Sequence, residues 1–288
     1  MTRRNLQSVT EGHPPASSTP GPGEQRILSA FQTARNEDRA ALMPYMMAGF
    51  PDRESSLAVA AAYADSGADL IELGVPFSDP LADGPTIHAA ATAALESGAT
   101  LATALEVCRS VSDRVPVVLM VYVNMVLSHG GATEFARLAL AAGASGAIVP
   151  DLPLGEAEEV RDAFTAEGLA LVPLVAPTTP PERLAQICAA AKGFIYVVST
   201  VGTTGERTEV PAALAELVAA TRAASLGPPV AVGFGIGTAA QAAEVGRIAD
   251  GVIIGSRLVR AAAEAGSAAD AADAVAEFLG ETRVALAR

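Results

Sequence analysis

The stretch ALMPYMMAGFPDRESSLAVAAAYADSGADLIELG, residues 41–74, decides the fold. A short apolar run at 42–49 leads into an alanine-rich amphipathic segment that begins near Arg53, and a second apolar run follows at 70–74. Strand, helix, strand is one βα repeat. Outward from it, further apolar runs stand at 116–122, 146–150, 169–175, 194–199, 229–234 and 251–255, which makes eight candidate strands. Helices are expected to start near Arg53, Thr86, Ala132, Glu156, Pro181, Ala212, Thr238 and Ser256, with extra helices at 101–112 and 268–287. Eight strands each followed by a helix predict a single α/β domain, a (β/α)8 TIM barrel over 26–288, close to the usual size of about 250 residues. A doubly wound sheet would leave two repeats unplaced. Residues 1–25, rich in Pro, Gly, Ser and Thr, are expected to be a disordered N-terminal tail, with a short amphipathic helix at 26–35 after it.

Composition narrows the function classes. The 288 residues carry 19 Lys and Arg against 32 Asp and Glu, a net charge of −13, which disfavours nucleic acid and anionic membrane as partners. Half of the residues are hydrophobic, so a large core is available. No run approaches the roughly 18 apolar residues of a membrane span, and the expected location is cytoplasmic. Cys108 and Cys188 sit in helix-like contexts and read as small buried hydrophobes. His13, His88 and His129 form no metal-binding spacing, so no metal is expected.

In TIM barrels the reacting groups sit at the carboxyl ends of the strands. Period-two alternation in Leu70-Ile71-Glu72-Leu73-Gly74 sends Ile71 and Leu73 outward and Glu72 into the barrel mouth. A carboxylate there must be paired, protonated or used; the strand cores offer no Lys or Arg to pair it. The following loop, Val75-Pro76-Phe77-Ser78-Asp79-Pro80-Leu81-Ala82-Asp83-Gly84-Pro85, is stiffened by three prolines and could hold Asp79 or Asp83 near Glu72. Asp83 could equally cap the next helix. The polar, glycine-rich segment 200–208 suits a loop that closes over a ligand. Gly235 in GFGIGT and Gly255-Ser256 before a helix suit a phosphate, although both also serve as tight turns. Tyr45, Met47, Met120, Tyr122, Phe194, Tyr196 and Phe234 could line a flat apolar slot or be plain core.

The string ELGVPFSDPLADGPTI, residues 72–87, resembles the signature of the tryptophan synthase α subunit family, and the likeness runs from about residue 26 to 280. PYMMAGFPD, NMVLSHG, PDLP, TTG, GFGI and IGS add to it. The resemblance implies a lyase that splits indole-3-glycerol phosphate into indole and glyceraldehyde 3-phosphate without cofactor, in tryptophan biosynthesis. It implies Glu72 as the acid/base glutamate and Asp83 as the partner of the indole N–H. Tyr45, Ile87, Met120, Tyr196 and Phe234 would form the indole pocket, with Thr204 on the closing loop. Gly205, Gly235, Gly255 and Ser256 would hold the phosphate. Pro76, Asp79, Pro80, Asn124, Asp151 and Pro153 match positions that contact a β subunit in an αββα tetramer. Met47, His88 and Met125 depart from the family pattern. A stand-alone lyase of specialised metabolism and a non-catalytic regulatory paralogue are the alternatives.

Overall fold

A computed structural model describes residues 19–156, 158–198, 212–233 and 235–288. The strands are β1 (Ala41–Met47), β2 (Ile71–Gly74), β3 (Val117–Met120), β4 (Ala144–Ile148), β5 (Ala170–Val172), β6 (Leu174–Val175), β7 (Ile195–Val198), β8 (Val230–Gly233) and β9 (Gly251–Ile254). Every pairing between them is parallel, in the order β5-β4-β3-β2-β1-β9-β8-β7-β6. β5 and β6 are the two halves of the single strand expected at 169–175, split at Pro173, which has no N–H for a ladder. β5 pairs with β4, β6 pairs with β7, and the Tyr196 N–H donates to the Pro173 carbonyl at 3.0 Å. The ring closes through that break, as a TIM barrel.

The helices among the described residues are α1 (Pro22–Asn36), α2 (Arg53–Asp65), α3 (Pro85–Glu96), α4 (Leu101–Val111), α5 (Val123–Ser128), α6 (Gly131–Ala141), α7 (Glu158–Glu167), α8 (Pro181–Ala190), α9 (Ala212–Ala224), α10 (Ala239–Ile248), α11 (Ser256–Glu264) and α12 (Ala268–Ala285). Two differ from expectation. α5 is a short helix the apolar pattern does not announce, and α7 starts late because Leu154–Glu156 forms a 3-10 turn.

The tail boundary also needs correction. α1 begins at Pro22, a residue suited to the first helical turn, so residues 22–25 are helix rather than tail. Of the rest of the expected tail, residues 19–21 are described as non-helical chain and residues 1–18 lie outside the described residues. Ile27 and Phe31 of α1 pack among the inward side chains Met43, Leu70, Val118, Ile148, Val172, Phe194, Ala231 and Ile253, plugging the barrel at its amino-terminal end. The alternate residues, including Leu42, Ile71, Leu73, Leu119, Val197 and Val232, pack outward against the helices. Cys108 and Cys188 are free and buried, and burial pushes the Cys108 thiol up to about 12.

At that same closed end, Asp69 just before β2 is tightly bound. The Arg39 guanidinium donates to it at 2.7 Å and the Leu42 N–H donates at 2.7 Å. Arg283 of α12 approaches the same carboxylate and pairs with Glu37, so the entrances of β1 and β2 are clamped to the chain's last helix.

Candidate active site

Glu72 stands where the alternation places it, on β2 between Tyr45 of β1 and Val118 of β3 in register. It is 2% exposed, and its Oε2 has no hydrogen-bond partner among the described residues. Burial, and secondarily the negative charge of Asp83, push its carboxyl up to about 8. Among the described residues the expected alternative of a structural ion pair is not seen.

Asp83 is half-buried in the loop after β2. Burial raises its carboxyl, while a hydrogen bond from Tyr122 and the charge of His88 oppose that shift. It does not cap α3: the N-cap is Gly84, with no side-chain cap. Tyr122 fixes this loop twice. Its hydroxyl accepts the Ala82 N–H at 3.1 Å, and its ring stacks on Phe77 with centroids 5.1 Å apart. The slot residue Tyr122 thus has a polar task that the sequence did not disclose, because nothing local links it to a loop 40 residues earlier.

Around the two carboxyls, Tyr45 and Tyr196 carry hydroxyls within electrostatic reach of both. Each crosses onto a glycine of the next strand. A Cβ on Gly74 would lie 2.2 Å from the Tyr45 Oη, and one on Gly233 would lie 2.4 Å from the Tyr196 Oη. Any larger residue at either glycine would displace the phenol. Ile87 of α3 and Met120 at the end of β3 pack beside Tyr45, and Met47 joins the same cluster with α3 and Val259.

On the neighbouring strands, Gly235 follows β8 with φ +54°, the left-handed region open to glycine, and Gly255 is the N-cap of α11. Ser256, the first residue of α11, is buried. A Cβ on Gly255 would lie 3.7 Å from the Tyr45 Cβ, so the α11 N-terminus adjoins the carboxylate side of the mouth. Thr204, Gly205 and Phe234 lie outside the described residues.

Pro76, Asp79 and Pro80 follow β2, Asn124 follows β3, and Asp151 and Pro153 follow β4, so all six share one sector of the rim. The Asp151 carboxylate accepts the Val123 N–H at 2.9 Å, tying the last two loops together.

This geometry has known counterparts. Residues 31–286 match the family model described as tryptophan synthase alpha chain. The chain belongs to that family. The tryptophan synthase alpha chain of Chloroflexus aggregans is 48% identical over 237 residues, 81% of this chain and 88% of the relative. That of Xanthomonas euvesicatoria is 44% identical over 91% of this chain and 98% of the relative. A solved Mycobacterium tuberculosis tryptophan synthase chain superposes with a TM-score of 0.85 at 40% identity, covering 91% of this chain and 98% of that one. The subunit alpha structure from Legionella pneumophila gives 0.81 at 35% identity, over 91% and 98%. As a tryptophan synthase alpha chain, this protein is a carbon–carbon lyase of tryptophan biosynthesis.

Proposed function

We propose that Glu72 and Asp83 carry the family's reaction in this chain, the retro-aldol cleavage of indole-3-glycerol phosphate into indole and glyceraldehyde 3-phosphate. The observation that supports it best is a buried Glu72, its Oε2 without a partner among the described residues, held up to about 8, and so protonated at neutral pH, beside a second carboxyl. Protonated Glu72 delivers its proton to indole C3. The ring nitrogen turns acidic as the indolenine forms, and ionised Asp83 stabilises its N–H. Glu72, now a carboxylate, takes the proton of the side-chain hydroxyl next to C3. The bond from C3 to that carbon breaks, its electron pair restores the indole, and the hydroxyl carbon becomes the aldehyde. Glu72 ends protonated, as it began.

Tyr45, Ile87, Met120, Tyr196 and Phe234 sandwich the ring in this reading. Thr204 belongs to the segment that closes over it, and Gly205, Gly235, Gly255 and Ser256 take the phosphate. Backbone amides at a helix N-terminus suit such a group without a basic side chain.

The partner in this reading is a tryptophan synthase β subunit in an αββα tetramer, docked on Pro76, Asp79, Pro80, Asn124, Asp151 and Pro153. Leu81, 85% exposed, and Leu127, 47% exposed, lie in the same rim sector and would be covered by it. The enzyme would work in the cytoplasm; no helix among the described residues is long and apolar enough to cross a membrane. No observation favours the stand-alone or regulatory alternatives. The deciding assay is indole release from indole-3-glycerol phosphate, with and without a β subunit. Slow release that the partner accelerates is expected, and no release under either condition refutes the reading.

A further inference from the structure

The floor and walls around Glu72 are apolar, and this raises a question its chemistry must answer. In register it faces Tyr45 and Val118, and beneath it lie Leu70 and the α1 plug with Ile148 and Phe194. A protonated carboxyl tolerates that setting, but the carboxylate left after proton donation has acceptors only and needs a donor. Among the described residues, the titratable groups that face Glu72 are Asp83 from the loop after β2, Tyr45 from β1, whose hydroxyl also faces Asp83, and Tyr196 from β7. Asp83 is itself an acceptor and faces Tyr122 and His88.

Between the two phenols, position decides. Tyr45 is the direct register partner of Glu72, and its hydroxyl lies against Gly74, two residues further along the same face of β2. That is one pleat nearer the mouth than Glu72, about 7 Å along the strand. Tyr196 instead pairs with Ala231 and lies over Gly233 on β8, across the ring. The Tyr45 ring is packed with Met47, Ile87 and Val259, and its backbone carbonyl accepts the Tyr63 hydroxyl at 2.9 Å.

We propose that the Tyr45 hydroxyl is the positioning donor of this site: when Glu72 has given up its proton, the phenol O–H donates to the carboxylate and holds it toward the mouth to collect the returning proton. This rests on the acid/base role proposed for Glu72 above. Tyr45 touches the reaction only through Glu72 and needs no charge of its own.

The test is Tyr45→Phe in the full chain with its β partner, a change that removes one oxygen and keeps the ring. A hydrogen bond to a charged group is worth enough to expect a fall in kcat of about tenfold or more, with KM for indole-3-glycerol phosphate within about twofold. Because a donor favours the charged form, its loss should also raise the Glu72 titration midpoint by about one pH unit. Carboxyl NMR on glutamate-labelled protein reads that midpoint directly, with Glu72→Gln identifying the signal. Tyr196→Phe should leave the midpoint in place. Unchanged kcat and midpoint in Tyr45→Phe overturn the proposal. So does a rise in KM with an unmoved midpoint, which would assign the hydroxyl to substrate, or a midpoint moved by Tyr196→Phe alone. If Glu72→Gln is inactive while Tyr45→Phe is silent, only this inference falls; an active Glu72→Gln removes the acid/base reading itself.

Discussion

Asp69 and Glu72 are two acids three residues apart, both removed from water, and the molecule treats them in opposite ways. The Asp69 side chain, 7% exposed, is bonded by the Arg39 guanidinium and a backbone N–H at the closed end of the barrel. Glu72, 2% exposed, lies at the open end with one oxygen unbonded among the described residues and its carboxyl lifted to about 8. The same functional group is a clamp in one place and, in the function proposed here, a proton store in the other. What differs is the supply of donors, which depends on which end of β2 the residue occupies.

The strongest way to break this contrast is Glu72→Gln, which should bind ligand and lose turnover by about three orders of magnitude, within the range for a positioned acid/base group. Steady-state indole release measures it, and near-normal turnover would make Glu72 as structural as Asp69. The mirror experiment is Asp69→Ala. Removing the Asp69 carboxylate leaves buried Arg39 only Glu37 and the Ala40 carbonyl, which should cost about 3 kcal/mol in denaturant unfolding, while kcat in the folded protein stays near its original value. A large kcat loss without destabilisation would erase the distinction between the two ends.

Asp83→Asn sharpens the comparison at the mouth, where a loss of at least about a hundredfold in kcat is expected. An effect below about fivefold would reduce Asp83 to a loop residue. The smallest effect concerns stability. Glu72 has a folded pKa above its unfolded one, so the unfolded chain binds fewer protons and stability falls as pH rises from about 4.5 to about 8. Glu72→Gln should therefore stabilise the protein more at pH 8 than at pH 5. Thermal unfolding at the two pH values checks the sign; equal shifts at both would contradict the raised carboxyl.

The repeat of apolar run and amphipathic helix made the barrel legible, because period-two and 3.6-residue patterns are local. Glu72 was legible for the same reason: between Ile71 and Leu73 it can only point inward once those two point out. Pro173 shows where the pattern runs short. One apolar run became two strands with different neighbours, since a missing N–H matters only once a partner strand is beside it. The α1 plug was half legible, its stripe of Ile27 and Phe31 visible but not its destination inside the ring.

The sequence alone therefore settled the number of repeats and, once Ile71 and Leu73 point out, the inward face of Glu72, both properties of neighbours along the chain. Only the tertiary structure decided that Asp69 meets Arg39, that Tyr122 holds the Asp83 loop, and that Tyr45 and Tyr196 need bare glycines across from them. Those are contacts between segments distant in sequence, and a donor's availability or a missing Cβ acts through space rather than along the backbone.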